Sequence, residues 1–517
     1  MGEQESAEAI VPGASMMRRG RAESIIQGAA LNVSRDRERQ KVAGYQMELP
    51  LELACHGAIG KGGTRPDAHE AQQLSPAADK KRALTQDLME RVSSLANLTE
   101  AVRRVTRNKG AAGADGMSVR DLKRWFPEHW RELQEQLTSG KYRPQPVLGV
   151  QIPKPGGGMR QLGIPTVIDR VVQQALLQAL EPLLDPTFSE SSFGFRPGRS
   201  AHQALQQASA YVSEGRSIVV DMDLEKFFDR VNHDILMARV ARRVSDKRVL
   251  RLIRLFLEAG MMQNGVCVER YEGTPQGGPL SPLLANLLLD GLDKELEKRG
   301  HRFCRYADDC NIYVQTKRAG ERVMASVTQF LEGKLKLRVN REKSAVAFVG
   351  DRKFLGYRLL AGGRLGIAPK SLDRAKDRIR DMTRRNRGDA KVRQMIEELN
   401  SFLSGWITYF RFAEGKSHLE RLGEWMRRKL RCVILKRLKR TKSIADFLKR
   451  LGVPQHQAWI LALSGKGWWR KAGSPSAQHA MDKEWFAKQR LIDPAQWYET
   501  FKNDRNRRGT EQVCPVV

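Results

Sequence analysis

The sequence predicts an α+β protein in which a mixed region of helices and strands is followed by an all-helical region. Between residues 165 and 290, segments with helical and with strand-like periodicity alternate. Residues 303–314 contain two strand-like runs joined by a polar dipeptide, which is typical of an antiparallel hairpin. From residue 372 onward, apolar side chains recur every three or four positions in nearly every segment. These three observations together predict the fold class.

The predicted elements are arranged in four segments. Residues 1–80 are rich in Gly, Ala, Ser and Gln without sustained periodicity, which predicts a poorly ordered extension. Residues 81–360 begin with a helix, continue through a glycine-rich loop at Lys109–Gly116, and then alternate helices with strands. Residues 361–450 are predicted to be helical, and residues 451–517 are predicted to add further helices.

The chain carries a large positive charge that is unevenly distributed. Lys and Arg number 90 among 517 residues, against 59 Asp and Glu, which gives a formal net charge of +31. Residues 370–450 alone contain 24 basic and ten acidic side chains, whereas the first 80 residues are nearly neutral. Such an excess repels itself in a compact state unless a polyanion neutralises it. Nucleic acid is therefore the expected partner.

Composition excludes several other classes of protein. A hydrophobic fraction of 41% is enough to build cores, so a mostly disordered chain is excluded. No run of about 18 apolar residues occurs, so a membrane-spanning helix is not expected. Residues 1–30 also lack the apolar stretch of a secretory signal. Six scattered cysteines without a Cys-x-x-Cys pair argue against a disulfide scaffold and a four-cysteine zinc site, and they fit a cytoplasmic protein.

Two acidic stretches are candidates for a metal site. Asp308 and Asp309 lie between the two runs of the predicted hairpin, where adjacent carboxylates repel each other unless a cation neutralises them. Taken alone, this dipeptide equally fits an acidic turn in solvent. Residues 217–224 predict a strand that places Asp221 and Asp223 on one face and apolar side chains on the other.

One of these two strand aspartates can meet the hairpin carboxylates across neighbouring strands, and periodicity does not choose between Asp221 and Asp223. Three convergent carboxylates can hold two Mg²⁺ ions about 3.5–4 Å apart, the arrangement used for nucleotidyl transfer. Magnesium prefers oxygen ligands, so neither His nor Cys is required. The residues themselves thus point to a two-metal site.

The order of short motifs resembles that of the group II intron-encoded reverse transcriptases. Tyr306–Asp309 is similar to their signature turn, and Ile152–Pro165 resembles their fingers hairpin. The second, third, fourth and seventh blocks of the family are matched in turn by Phe193–Ser200, Asp223–Asp229, Gly273–Pro282 and Phe354–Tyr357. The resemblance implies a right-hand polymerase, with fingers and palm in residues 81–360 and a basic helical thumb, or maturase domain, in residues 361–450.

The resemblance also implies roles for individual residues. Asp223, Asp308 and Asp309 are the implied catalytic carboxylates and ligands of two Mg²⁺ ions. Phe228 matches the position that senses the sugar of the incoming nucleotide, although ordinary core packing is the alternative. The other implied substrate-binding residues are Lys154, Arg160 and Gln276, and the implied primer grip is Phe354, Leu355, Gly356 and Tyr357.

Each of these further assignments has a structural alternative. Lys154 and Arg160 can serve as nonspecific contacts to a phosphate backbone, and Gln276 can cap a turn. The segment 354–357 can be a strand end that packs on the palm.

Residues 451–517 depart from the family pattern. Many group II proteins end in a metal-dependent endonuclease built on paired cysteines and histidines, but here Cys514 is the only cysteine after residue 450. We therefore expect no endonuclease site in this segment. Its five tryptophans lie among basic residues, which fits either a small DNA-contacting module or an added layer of helical core.

The expected function is synthesis of DNA on an RNA template from dNTPs and a DNA primer, in a bacterial cytoplasm. The resemblance further implies binding of the group II intron RNA, which would assist splicing and retromobility. Two alternatives remain open. The protein can be a free-standing relative with a host role such as phage defence, or mainly an RNA-binding splicing factor.

Overall fold

The computed structural model describes residues 87–153, 158–263, 266–384 and 392–511. The predicted extension, residues 1–80, lies outside these ranges. Within these ranges, nine helices lie before residue 331, namely α1 (Leu88–Ser93), α2 (Leu95–Asn108), α3 (Val119–Thr138), α4 (Val167–Leu184), α5 (Ala201–Ser213), α6 (His233–Ala241), α7 (Lys247–Glu258), α8 (Ser281–Lys298) and α9 (Lys317–Phe330). Nine more follow in the described C-terminal part, namely α10 (Pro369–Met382), α11 (Val392–Tyr409), α12 (Lys416–Arg437), α13 (Thr441–Arg450), α14 (Gln455–Leu463), α15 (Trp468–Ala472), α16 (Pro475–Ala480), α17 (Lys483–Lys488) and α18 (Pro494–Glu511).

The described strands form three sheets. They are β1 (Val147–Pro153), β2 (Met159–Ile164), β3 (Ile218–Met222), β4 (Met261–Gln263), β5 (Val266–Val268), β6 (Arg302–Tyr306), β7 (Asp309–Val314), β8 (Ala345–Phe348), β9 (Lys353–Phe354), β10 (Tyr357–Leu359) and β11 (Leu365–Ile367). The first sheet has the order β2-β1-β4-β5, the second β6-β7-β3-β8 and the third β11-β10-β9. Every pairing in the second sheet, which we call the palm sheet, is antiparallel. The predicted α+β class is confirmed.

The predicted N-terminal helix is divided in two. The apolar spacing continues across Ser94, but this residue is extended, and its hydroxyl accepts a hydrogen bond from the Asn97 backbone at the start of α2. Serine favours such a cap because its short side chain satisfies an otherwise unpaired N–H group. Lys109, in a left-handed conformation, then caps α2 and opens the predicted glycine-rich loop.

Two hydrophobic cores lie on opposite faces of the palm sheet. The first core packs helices α1–α4 and α6–α9 against one face, and it includes Val220, Met222 and Leu224, as their alternation predicts. The second core packs α5, the three-stranded sheet and the C-terminal helices against the other face. It includes Val219 of β3 and Tyr313 of β7, so the central strands are covered on both sides.

The described part of residues 451–511 is helical and joins the second core. Met481, Phe486 and Tyr498 are buried there, and the Tyr498 hydroxyl donates to the Ala413 carbonyl oxygen at 2.5 Å. This arrangement favours the predicted helical core layer. Contact of this segment with DNA stays a prediction. Within the described ranges, no helix combines the length and the apolar character needed to cross a bilayer.

Candidate active site

The Asp-Asp dipeptide lies at the tip of a tight hairpin, as predicted. Strands β6 and β7 pair so that Tyr306 faces Asp309, which leaves Ala307 and Asp308 as a two-residue connection. Ala307 has a φ of +59°, in the left-handed region that only glycine adopts without cost. Asp309 is the first residue of β7, and its side chain is buried. Asp308 and Asp309 therefore place two consecutive carboxylates at the ends of strands β6 and β7.

The second pair of aspartates lies at the end of β3, the strand beside β7. Asp221 faces Asn311 across the ladder, and Asp223 follows the last strand residue. The Asp223 backbone is fixed by a nearby turn, because its N–H donates to the Ser344 hydroxyl at 3.0 Å and its carbonyl oxygen accepts from the Asn340 N–H at 2.9 Å. The structure thus brings both pairs to the same place.

Burial and neighbouring charges raise the pKa values of both hairpin carboxylates, Asp308 and Asp309. Burial, with repulsion from Asp223, raises the pKa of Asp308 to about 6, while Arg160 and Arg305 act in the opposite direction. Burial also raises the pKa of Asp309 well above its usual range, and Asp221, Asp308 and Asp223 add to this effect. Asp308 and Asp309 therefore form one carboxylate cluster with Asp221 and Asp223, in which the strand aspartates disfavour the charge of the hairpin pair.

Asp221 and Asp223 differ in their partners. Asp221 accepts a hydrogen bond from Nε of Arg352 at 2.8 Å, so its charge is already compensated. Arg352 also donates to the Lys343 carbonyl oxygen, next to the turn that fixes Asp223. In the described part of the chain, no side chain donates a hydrogen bond to the Asp223 carboxylate. Of these two aspartates, Asp223 is therefore the better placed to bind a ligand through its carboxylate.

The donor chemistry of the cluster fits magnesium. Buried carboxylate oxygens are the hard ligands that Mg²⁺ prefers, and a bound cation would offset the burial and the repulsion that raise the pKa values of Asp308 and Asp309. Among the described residues, no three His, Cys, Asp or Glu side chains stand in a geometry that could hold a metal ion, so the fit is one of donor chemistry.

Of the implied nucleotide-binding residues, Arg160 acts directly on this cluster, and the Gln276 loop is joined to the strand that carries Arg160. Arg160 lies in β2, opposite Ile152, and its positive charge acts on Asp308. Lys154 lies outside the described residues. The backbone carbonyl of Gln276 accepts a hydrogen bond from the Gly163 N–H at 3.0 Å, which ties the Gln276 loop to β2.

Phe228 lies in a single turn of 3₁₀-helix that follows Asp223. Its ring is half-buried and meets the buried Phe227 ring edge to face, with centroids 5.1 Å apart. The Phe228 carbonyl oxygen accepts from the Thr274 N–H at 2.7 Å, so this turn and the Gln276 loop are joined. The adjacent Gly273 has a φ of +88°, and a Cβ there would meet the Asp229 carbonyl oxygen at 2.9 Å. The Phe228 ring thus packs on Phe227 while the residue as a whole stays half-buried.

The implied primer grip is a tight turn between β9 and β10. Leu355 and Gly356 have φ values of +52° and +79°, and Phe354 and Tyr357 are almost completely buried. Tyr357 packs on the Phe410 ring of α11 with centroids 4.9 Å apart. These side chains serve packing against the C-terminal helices, so contact with a primer at this turn stays a prediction.

Aromatic side chains of α11 supply the other half of this contact. The Tyr409 hydroxyl donates to the Leu355 carbonyl oxygen at 2.7 Å, and the Trp406 and Phe410 ring centroids are 4.6 Å apart. These aromatic side chains belong to, or pack against, the second core.

Sequence reasoning missed two arginines that organise the site, Arg352 and Arg305. Their partners are distant in sequence, so no local spacing reveals them. One signal was available on the partner side, because Asn286, Asp290 and Asp293 interrupt a leucine-rich helix at intervals of four and three. Such spacing places polar groups on one face of a buried helix, which predicts a buried polar partner.

The comparisons with known proteins identify two protein families along the chain. The chain matches the reverse transcriptase (RNA-dependent DNA polymerase) family over residues 152–359 and the group II intron maturase-specific domain over residues 372–452. Protein YkfC of Escherichia coli (strain K12) is 36% identical over 305 residues, which cover 51% of this chain and 80% of YkfC. Group II intron-encoded protein LtrA of Lactococcus lactis subsp. cremoris is 38% identical over 202 residues, covering 38% of this chain and 32% of LtrA.

A solved structure of telomerase from Candida albicans, in complex with a fragment of telomeric RNA, is also similar. It is 12% identical, with a TM-score of 0.35, over 74% of this chain and 69% of the telomerase chain.

The antiparallel palm sheet with its carboxylate-bearing hairpin defines a polymerase of the reverse transcriptase class. With the maturase-specific domain following it, the chain belongs to the group II intron-encoded reverse transcriptases, as the motifs implied. The predicted combination of a reverse transcriptase domain with a domain that assists splicing is thereby confirmed. The alignment with LtrA spans about a third of that protein.

Proposed function

We propose that this protein extends a DNA primer on an RNA template from dNTPs, with two Mg²⁺ ions bound by Asp223, Asp308 and Asp309. The observation that carries the proposal is the meeting of the β6–β7 connection with the end of β3. There, burial and the neighbouring aspartates of β3 raise the pKa values of Asp308 and Asp309, and a bound cation would offset both effects. When bound there, Mg²⁺ would supply the Lewis acidity that activates a 3′-hydroxyl and offsets charge on the leaving pyrophosphate.

The chain's own residues would orient the substrate. Arg160 lies where its guanidinium can offset negative charge on the triphosphate as the transition state forms. Phe228 would limit the space under the sugar, because a rigid ring there leaves no room for a 2′-hydroxyl. The hydrogen bonds that join the Phe228 turn, the Gln276 loop and β2 would keep these groups in register.

The polymerase assignment is tested by primer extension. Purified protein, an RNA template with an annealed DNA primer, dNTPs and Mg²⁺ should give full-length product. Asp308→Asn should lower the single-turnover rate by at least about 1,000-fold, because one ligand and its charge are lost. Asp234→Asn is the matched control, since Asp234 is exposed on α6 and pairs with Arg254. Equal extension by the Asp308→Asn variant and the wild type would refute the assignment.

We also propose that the C-terminal helices bind the intron RNA and help it reach its splicing-active shape. Exposed basic residues at the α12–α13 junction support this proposal, namely Arg437, Lys439, Arg440 and Lys442. Double-stranded RNA offers phosphates and 2′-hydroxyls rather than readable base edges, so recognition by charge and shape is expected. The RNA-binding surface would use none of the four carboxylates. A bacterial cytoplasmic location is part of the same proposal.

This second activity has a separate test. Splicing of the intron that carries the coding sequence is measured in vitro at near-physiological Mg²⁺ with and without the protein. Wild type and Asp308→Asn should stimulate splicing equally, because the substitution leaves the basic helices unchanged. Absence of stimulation by the wild type would contradict the maturase proposal while leaving the polymerase proposal standing.

A further inference from the structure

A completely buried arginine joins the catalytic hairpin to two other segments. Arg305 lies in β6, two residues before Ala307, and has no exposed surface. Its Nε and Nη2 donate to the Asp293 carboxylate at 2.7 and 2.5 Å. The remaining N–H groups donate to Asn286 Oδ1 at 3.0 Å, to the Ala307 carbonyl oxygen at 2.8 Å and to the Ser192 hydroxyl at 2.8 Å. All five donors of the guanidinium group are therefore satisfied.

The partners of Arg305 are themselves connected. Asn286 lies on α8 and donates through Nδ2 to the Gly194 carbonyl oxygen at 2.8 Å. The backbone of Arg305 exchanges hydrogen bonds with Ser191 and Phe193, each at 2.9 Å. The segment 191–194, helix α8 and strand β6 thus form a closed network around one guanidinium group.

We propose that Arg305 is a positioning residue for the catalytic connection. Its bond to the Ala307 carbonyl oxygen orients the peptide that precedes Asp308, and Ala307 holds a left-handed φ that is unfavourable for a residue with a Cβ. Such a conformation persists only where surrounding contacts determine it. The network supplies those contacts from β6, α8 and the segment 191–194, and so it fixes the direction of the Asp308 carboxylate.

The chemistry of the network favours positioning over stability as its role. A buried ion pair costs desolvation of both charges, so it stabilises a fold weakly compared with apolar packing of the same volume. A planar fork with five donors, in contrast, fixes several acceptors at defined angles, which a lysine cannot do. The inference rests on the proposed polymerase function, since Asp308 matters only if the carboxylates act on a substrate.

The protein offers a matched control for the test. Arg196 is a second buried arginine, with Nε on Asp185 at 2.7 Å and Nη1 on the carbonyl oxygens of Ser189 and Ser192 at 2.6 and 2.9 Å. None of these partners belongs to the catalytic hairpin, and at the shared residue Ser192 Arg196 meets the backbone carbonyl oxygen whereas Arg305 meets the hydroxyl. Arg196→Lys therefore removes a comparable guanidinium network without touching the Ala307 carbonyl group.

The experiment compares Arg305→Lys with Arg196→Lys in the full chain by three measurements. These are the thermal midpoint, the Kd for template–primer and the single-turnover rate of extension. Both variants should lose thermal stability. Arg305→Lys should lower the extension rate by about 10–100-fold, as loss of an outer support of a metal site does, with an unchanged Kd for template–primer. Arg196→Lys should retain the rate of the wild type at temperatures where both are folded.

A measurement without turnover adds a second readout. Mn²⁺ binding to the protein alone, followed by electron paramagnetic resonance, should weaken about tenfold in Arg305→Lys and not in Arg196→Lys. Equal effects of the two variants on rate and Mn²⁺ affinity would overturn the inference, because a merely structural role predicts that result.

A milder variant covers the case in which Arg305→Lys does not fold. Asn286→Ala removes the bonds to Arg305 and Gly194 but leaves the ion pair with Asp293 intact. Judged by the relation between rate and thermal midpoint in Arg196→Lys, Asn286→Ala should lose more extension rate than its loss of thermal midpoint accounts for. A folded Asn286→Ala protein with the rate of the wild type would overturn the inference. Failure of the proposed function is distinguishable, because the wild type itself would then extend no primer.

Discussion

Substitution of Gly194 by alanine should displace the catalytic hairpin without changing any charged group. A Cβ at Gly194 would lie 2.2 Å from the Ala307 backbone nitrogen, 2.9 Å from the Tyr306 carbonyl carbon and 3.0 Å from the Ala307 Cα. All three are backbone atoms, so no flexible side chain can move aside. Since carbon and nitrogen approach each other no closer than about 3.4 Å at low cost, the hairpin must retreat by roughly 1 Å.

The displacement sets the expected size of the effect. A shift of about 1 Å in a catalytic group can cost about 100-fold in rate. Overpacking of this kind should also cost about 1–3 kcal/mol in the free energy of unfolding. We therefore expect Gly194→Ala to fold with a lowered thermal midpoint and to extend a primer about 100-fold more slowly than the wild type in single-turnover measurements.

Gly198→Ala provides the control in the same loop. Gly198 has a φ of +71°, and a Cβ there meets nothing within 4 Å. It should therefore carry only the backbone penalty, about 1–2 kcal/mol, and keep its rate. If Gly194→Ala extends primers as fast as the wild type, the close approach of this loop to the catalytic hairpin is not what aims Asp308.

Three further predictions concern the nucleotide pocket, pH and salt. Phe228→Ala should raise the use of ribonucleotides relative to dNTPs by at least about tenfold, measured as the ratio of kcat/KM values, whereas an unchanged ratio would assign the ring to packing alone. Because the folded protein holds the Asp308 proton with a pKa of about 6, against 3.8 when unfolded, the folded state binds more protons between these values. The thermal midpoint of the metal-free protein should therefore decrease as pH rises from about 4 to 6, and Mn²⁺ affinity should increase over the same range; a flat profile in both would contradict the raised pKa. Replacing Arg440 and Lys442 together by glutamine should reduce the slope of log affinity for intron RNA against log salt by about two, with primer extension unchanged, and an unaltered slope would place the RNA contacts elsewhere.

Local patterns were sufficient to predict the elements that carry the candidate catalytic residues. The hairpin at Asp308 and the strand leading to Asp223 are each specified by a few residues with a period of two. Their apolar faces enter the core as expected. The pairing of these two strands was predicted only as one possibility, because register depends on contacts between segments about 90 residues apart.

The features that escaped prediction depend on long-range partners or on single caps. Arg305 reads in sequence as a charged residue in a strand, and only the fold reveals that Asp293 and Ser192 surround it. Ser94 interrupts an apolar spacing that is otherwise continuous, because a cap there satisfies backbone groups better than another helical turn. Burial of Tyr357 against α11 likewise requires an element that follows it by about 50 residues.

The second core couples the unfolding of the C-terminal helices to that of the palm sheet. Tyr306 and Ala307 of the catalytic hairpin share this core with Trp406 of α11 and Leu430 of α12. Removal of everything after residue 360 would take away most of this core and leave mainly α5, β9 and β10 on that side of the central strands, so the polymerase half is not an autonomous unit. Melting of the C-terminal helices should extinguish polymerisation in the same cooperative transition. Any RNA that clamps those helices would thereby also stiffen the strands that hold the carboxylates.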